Sequence, residues 1–213
     1  MIKSFKKINR KSGFTLVELL VTIVIFVILT GVVLVNSNSF DNSVLLNNLG
    51  YDVALTIKQA QSFGVNVKED NSGVFSSSYG VYFNTDTGDS GSLTNFVLFS
   101  DINGDKVYFE KDVSVCPTGA DEDLECIQKY SMRNGTRITS ICAVDKDSIN
   151  NECVEKAALS VIFTRPSLEA KIYGDEPNSS KNPAQYAKIT LSSSNNSTTS
   201  VVVTSAGQVY VKK

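Results

Sequence analysis

The 213-residue chain has 20 Lys and Arg residues against 22 Asp and Glu residues, which gives a formal net charge of −2. Five of the basic residues lie in the first 13 positions, which contain no acid: Lys3, Lys6, Lys7, Arg10 and Lys11. Without that leader 15 basic residues would face 22 acidic ones, a net charge of −7. We expect no nucleic-acid partner, because phosphate binding needs clustered Lys and Arg. The length suits one domain plus a targeting or anchoring segment.

An apolar segment, residues 14–35, follows the leader directly. As a helix it would be about 33 Å long, which matches the hydrocarbon thickness of a bilayer. The next basic residue is Lys58, so the positive-inside rule keeps the amino terminus in the cytoplasm and places the rest of the chain outside. The segment is longer than the apolar part of a secretory signal, although cleavage after Ser37 stays open as an alternative.

Glu18 is an acid inside this apolar segment. A charge within a bilayer costs several kcal/mol unless it is paired, neutralised or near the surface. One interpretation is that Glu18 lies about one turn inside the segment and reaches the interface. The other is that the chain is cut between Gly13 and Phe14, which would create an α-amino group close to the carboxylate.

The stretch KSGFTLVELLVTIVI resembles the class III signal of type IV pilins and type II secretion pseudopilins. That signal has a basic leader, Gly before the cut, Phe after it and Glu at the fifth mature position. The resemblance implies cleavage after Gly13 by a prepilin peptidase and N-methylation of Phe14. It also implies that Glu18 guides assembly by pairing with the amino terminus of an adjacent subunit.

A second helical pattern follows the apolar segment. Its apolar residues recur at spacings of three and four and predict one buried face: Leu46, Leu49, Val53, Ile57, Ala60 and Phe63. Gly64 is interpreted as a helix stop in the left-handed conformation. The sequence thus predicts a leader (1–13), an assembly helix (14–35), its amphipathic continuation (36–64) and a β ectodomain (65–213).

Short β-rich runs separated by turn residues fill the rest of the chain. The predicted strands are YGVYFN, NFVLFS, KVYFE, VSVC, RITSICAV, ALSVIFT, EAKIY, YAKITLS, TSVVVTS and QVYVKK. Two hairpins are predicted, one turning at Asn103-Gly104 and one at Gly207. SSSNNSTTS, residues 192–200, is interpreted as a polar hairpin loop. The predicted fold is α+β and pilin-like, with a long amino-terminal helix packed on antiparallel sheet.

The four cysteines all follow the apolar segment, at Cys116, Cys126, Cys142 and Cys153. An even number outside a membrane favours disulfides, while reduced buried thiols and a zinc site remain alternatives. Zinc fits less well because the chain lacks both a C-x-x-C pair and histidine. We favour Cys116–Cys126 and Cys142–Cys153 because each would close a polar loop between strand-like runs.

The chain also resembles one branch of that family, the GspH/FimT-like minor pseudopilins and minor pilins. The likeness rests on four segments, LTIKQAQSFGV, FVLFSDINGD, VIFTRPSLEAKI and VVVTSAGQVYV. The cysteine-bearing loops depart from the general pattern of the branch.

Catalytic and cofactor motifs are not visible in the sequence. Without histidine there is no imidazole base for a Ser or Cys nucleophile, and no phosphate-binding loop occurs. Asp101, Asn103, Asp105 and Asp112 have EF-hand spacing, but Lys106 replaces the required Gly and the flanks are β-like, so a plain turn is favoured over a calcium site. The acids at 121–123 are interpreted as a solvated loop. We expect no cofactor and no resident metal.

The resemblance implies a minor pilin or pseudopilin, and without catalytic motifs we expect no enzyme. We expect a single-pass protein of the cytoplasmic membrane whose partners are other pilin-like subunits, the prepilin peptidase and the assembly platform. The alternatives are a pilin-like surface module for adhesion or DNA uptake, and an unprocessed membrane-anchored protein.

Overall fold

The structure is a computed structural model. It describes residues 13–66, 78–85, 92–108, 116, 125–145, 152–174 and 183–212. The chain divides into two units, Met1–Asp41 and Asn42–Lys213, and each is described by itself. Helix α1, Leu16–Val65, supplies the described α-helical residues of both units.

In the second unit, α1 presents its predicted apolar face to the core. Leu46, Val53, Ile57 and Ala60 are buried there, and Leu49 and Phe63 pack against the same core as partly buried residues. The spacing of three and four residues places all six side chains on one side of the helix. The amphipathic interpretation of this segment is confirmed.

Two five-stranded antiparallel sheets follow the helix. The first has the order β3-β2-β1-β6-β7 and the second β10-β9-β8-β4-β5. The strands are β1 (Ser78–Asn84), β2 (Asn95–Ser100), β3 (Cys126–Ser131), β4 (Arg137–Val144), β5 (Val154–Glu155), β6 (Ala158–Thr164), β7 (Ala170–Gly174), β8 (Tyr186–Ser192), β9 (Thr198–Thr204) and β10 (Val209–Lys212). A short 3-10 turn, Ser92–Thr94, precedes β2. The α+β prediction is confirmed.

The main core combines the helix face with residues from both sheets. Period-2 alternation sends Val81 and Phe83 of β1 into this core, while Tyr82 points to the other face of the first sheet. On that other face a second apolar cluster contains Tyr82, Val97, Phe99, Tyr108, Cys126, Ile162 and Tyr173. The first sheet is therefore covered on both faces, which explains why β1 is buried along nearly its whole length.

Two disulfides close the loops that were predicted to be stapled. Cys116 is bonded to Cys126 and Cys142 to Cys153, with Cα–Cα distances of 5.4 Å and 5.3 Å. This is the connectivity favoured from the sequence, and the Cα distances are ordinary for disulfides. The first bond ties residue 116 to edge strand β3, and the second ties β4 to the residue that precedes β5.

The Asn103-Gly104 hairpin prediction is wrong. Strand β2 is paired on one side with β1 and on the other with β3, so neither of its edges is available to residues 106–110. Lys106–Tyr108 form no strand, and residues 109–110 lie outside the described part of the chain. Tyr108 instead packs between Tyr82 and Phe99 over the outer face of the first sheet, with ring centroids 5.7 Å and 5.6 Å away.

Other strand predictions had mixed outcomes. Cys116 lies outside any strand, and residues 113–115 of the predicted VSVC strand are not described. Strands β3 and β5 were not predicted. The hairpin at Gly207 is confirmed, since β10 pairs with β9 from Val209↔Val203 onward, and the loop of the 192–200 stretch joins β8 to β9.

Gly64 is not a helix cap. The helix continues through it to Val65, and the described glycines with positive φ are Gly104, Gly135 and Gly207. A Cβ at Gly64 would lie 2.6 Å from the Phe163 carbonyl oxygen. Glycine is needed here because α1 passes close to the backbone of β6, not because the chain takes a left-handed turn.

Candidate functional site

The start of α1 is a capped helix terminus. Residues 13–15 are not helical, and the helix begins at Leu16. Thr15 Oγ1 accepts a hydrogen bond from the Glu18 N–H at 3.2 Å, and the Thr15 carbonyl accepts one from the Leu19 N–H at 3.1 Å. Thr15 is therefore the N-cap, and T-x-x-E has the spacing of a capping box.

The apolar segment that follows is long and apolar enough to cross a membrane. The window Leu16–Val33 has a mean hydropathy of 2.9, and none of it is buried within its own unit. The hydroxyls of Thr22 and Thr30 donate to the carbonyls of Leu19 (2.8 Å) and Phe26 (2.7 Å). The helix itself therefore satisfies both hydroxyls. Glu18 is the one charged residue in the sequence of this window.

The three residues predicted to carry function lie together at this terminus. Gly13 and Phe14 precede the helix, and the Phe14 side chain is 81% exposed. Glu18 is exposed in the first turn. A carboxylate there also interacts favourably with the partial positive charge of the helix amino terminus. The basic residues of the leader lie outside the described residues.

Comparison with protein families identifies this terminus. Residues 8–34 match the prokaryotic N-terminal methylation motif. The chain carries a class III prepilin signal. This signal is typical of type IV pilins and pseudopilins, so it supports a pilin-like subunit that assembles with other such subunits. No curated protein and no solved structure matches the chain.

In the second unit, a polar junction ties the helix to two loops. Lys58 Nζ donates to Gln61 Oε1 and to the Gly207 carbonyl, both at 2.9 Å. Gln61 Nε2 donates to the Leu168 carbonyl at 2.7 Å and to the Gly207 carbonyl at 3.2 Å. The helix is thereby fixed to the β6–β7 loop and to the β9–β10 turn.

Sequence reasoning missed this junction. A signal was present, because Gln61 follows Ile57 by four residues and so falls beside the apolar face of the helix. Three of the four segments that resemble the GspH/FimT-like branch meet here. LTIKQAQSFGV contributes Lys58 and Gln61, VIFTRPSLEAKI contributes Leu168, and VVVTSAGQVYV contributes Gly207.

The fourth segment, FVLFSDINGD, ends in a turn organised by carboxylates. Asp101 Oδ1 accepts from the Gly104 N–H at 2.9 Å and from the Lys106 N–H at 3.4 Å. Asn103 Oδ1 accepts from the Asp105 N–H at 2.8 Å, and Asp105 Oδ1 from the Val107 N–H at 2.9 Å. These oxygens, three of the four predicted at EF-hand spacing, serve the backbone of the turn.

Glu125 completes this acidic turn from the far end of the loop. Its Oε1 accepts from the N–H groups of Ile102 (3.0 Å) and Asn103 (3.2 Å). Burial raises the pKa of the Glu125 carboxyl, the amides of Asn103 and Ile102 oppose that rise, and the charges of Asp105 and Asp101 add to it. Burial likewise raises the pKa of Asp101.

The described residues of this turn use their side-chain oxygens for hydrogen bonds to the backbone. Across the part of the chain that the structure describes, no group of three or more His, Cys, Asp or Glu side chains could hold a metal ion. Asp112 and the acids at 121–123 lie outside the described residues. The conformation of residues 101–108 is accounted for by the hydrogen bonds within the turn and to Glu125.

Proposed function

We propose that the chain is a minor pilin or pseudopilin, a structural subunit of a type IV pilus or a type II secretion pseudopilus. The observation that carries the proposal is the methylation motif at residues 8–34, which overlaps an apolar segment, Leu16–Val33, whose one charged residue is Glu18. A plain membrane anchor has no need of that carboxylate, whereas an assembling subunit does.

Processing would occur at the junction between leader and helix. The precursor is inserted through residues 14–35 with its ectodomain outside the cytoplasmic membrane, and the prepilin peptidase cuts after Gly13. Phe14 then becomes the N-methylated first residue. The exposed, non-helical Gly13–Phe14 link supports this site, because a peptidase needs access to the scissile carbonyl.

Assembly would use Glu18. A carboxylate in an apolar filament core is costly when alone, and a positively charged amino terminus on a neighbouring subunit would remove most of that cost. Leaving lipid for the filament therefore becomes favourable only when the two groups meet. The assembly platform and the other pilin-like subunits are the partners of this step.

Assignment to the GspH/FimT-like branch is supported by the sequence resemblance. The segments that carry it are separate in sequence, and three of them form one hydrogen-bonded unit around Gln61 in the fold. They are therefore parts of one structural unit in this chain, and on their resemblance we propose that the chain is a minor subunit.

Replacement of Glu18 tests the proposal. Glu18→Ala and Glu18→Gln should be cut at the normal position but enter filaments at least tenfold less than wild type, because each removes the charge that the amino terminus needs. Sheared filaments and whole membranes are quantified by immunoblot from the same cells. Glu152→Gln, which removes an exposed ectodomain carboxylate, is the matched control and should assemble normally. Normal incorporation of both Glu18 variants would rule out the pairing mechanism.

A further inference from the structure

The position of the helix start decides whether the carbonyl at the proposed cleavage site is part of the helix. The first helical hydrogen bond is accepted by the Thr15 carbonyl, from Leu19 at 3.1 Å. The Gly13 carbonyl, which a peptidase must attack, lies two residues before that position. It is thus outside the helical hydrogen-bond pattern, in a part of the chain where Gly13 and Phe14 are exposed.

We propose that Thr15 is a positioning residue for cleavage, because its hydroxyl caps the helix and keeps the Gly13–Phe14 peptide outside it. The proposal rests on the processing described above. Thr15 acts indirectly: its hydroxyl accepts the hydrogen bond from the Glu18 N–H, and the helix begins at Leu16.

The helix has a reason to extend when this cap is lost. Without the Thr15 hydroxyl the Glu18 N–H loses its acceptor. A helix that starts earlier would offer this N–H the Phe14 carbonyl instead. Gly13 is the nearest upstream residue of a type that serves as an N-cap. A helix starting at Phe14 would have the Gly13 carbonyl as its first acceptor, and the scissile carbonyl would then be hydrogen-bonded and enclosed in a helical turn.

The chain contains a matched control for this effect. Thr22 lies on the same helix, and its hydroxyl donates to the Leu19 carbonyl instead of accepting from a terminal amide. Thr→Val at either position removes a hydroxyl, keeps the shape and keeps the β-branch. Only the change at Thr15 removes a cap.

The test uses full-length precursor in lipid-containing micelles with a purified prepilin peptidase. Cleavage rate is measured as kcat/KM by mass spectrometry, and the helix start is measured independently from backbone chemical shifts of residues 13–17. Thr15→Val should be cut about 3- to 10-fold more slowly, the range expected for loss of one N-cap, and its helix should begin earlier. Thr15→Ser, Thr15→Asn and Thr22→Val should remain within about twofold of wild type, since the first two keep an acceptor and the third keeps the cap.

Each outcome separates the two proposals. Equal rates for Thr15→Val and wild type would overturn the role of Thr15 and leave the processing proposal intact. Slower cleavage of Thr15→Val with an unchanged helix start would also overturn it, since the peptidase would then be reading the side chain directly. A wild-type precursor that the peptidase does not cut would instead refute the processing itself.

Discussion

Gly104 and Gly207 share a backbone φ of +78° but have different surroundings. A Cβ at Gly104 would meet nothing within 4 Å. A Cβ at Gly207 would lie 2.5 Å from Gln61 Nε2 and closer still to the Leu168 carbonyl oxygen, inside the polar junction. Gly104 is therefore required by its backbone conformation alone, whereas Gly207 is required by both its conformation and its packing.

Alanine at these two positions should destabilise the fold to different degrees. Gly104→Ala should cost about 1–2 kcal/mol of unfolding free energy, the price of a left-handed L-residue. Gly207→Ala should cost about 3 kcal/mol or more, because it also displaces the Leu168 backbone and breaks the Gln61 hydrogen bonds. Urea unfolding of the full chain in micelles, followed by the fluorescence of its 8 Tyr residues in the absence of Trp, measures both. Equal losses would show that the junction does not constrain this turn.

Sequence reasoning reached part of this residue-scale picture. Local pattern predicted the turn at Gly207 and the signal at Gly13, Phe14 and Glu18, because each depends on near neighbours. It could not predict that position 207 must lack a side chain. The hydrogen bond between Gln61 and Gly207 spans 146 positions, and the one between Gln61 and Leu168 spans 107. The capping role of Thr15 was readable from T-x-x-E but was not drawn from the sequence.

At the scale of elements, strand pairing was harder to predict than strand existence. NFVLFS is a strand, but its second partner is CIQKYS, residues 126–131, and not the nearby KVYFE. The aromatic residue that made KVYFE look like a strand, Tyr108, is 2% exposed because it covers the outer face of the first sheet. An apolar residue in a sequence indicates burial but not its cause. Tyr108 is buried because its segment covers the sheet, not because it belongs to a strand.

The acidic turn should make the stability of this covering segment depend on pH. The pKa of the Glu125 carboxyl is raised by burial, so its ionised form is less favourable in the folded than in the unfolded chain. The protonated Glu125 carboxyl therefore adds to the free energy of unfolding. This addition is complete below the unfolded pKa, near 4, and is lost as the pH rises through the higher folded pKa. The N–H groups of Ile102 and Asn103 both donate to Oε1 of the Glu125 side chain, an acceptor that glutamine retains.

Glu125→Gln should therefore raise the urea midpoint at pH 7 and converge on wild type near pH 4. Measuring the midpoint of both proteins from pH 4 to pH 7 checks the direction. Glu169→Gln, at an exposed position on the β6–β7 loop, controls for the loss of one negative charge and should not show the same convergence. A midpoint for Glu125→Gln that falls below wild type at pH 7 would contradict the sign.

At the scale of the whole molecule, the two units have different requirements. The residues of Leu16–Val33 expose their apolar side chains and have no core of their own, so they need lipid or neighbouring helices. The unit Asn42–Lys213 has its own core, two sheets and two disulfides. The apolar helix must be covered by other molecules, whereas the ectodomain has a core of its own. The proposed assembly through the amino-terminal helix requires this division.

Cleavage at Gly13 is tested by amino-terminal mass spectrometry of the protein from its native membrane. We expect a mature chain that begins with N-methylated Phe14 and that gains four hydrogens on reduction, two for each disulfide. A chain that still carries residues 1–13, in cells with an active prepilin peptidase, would contradict the account and leave Glu18 without a partner.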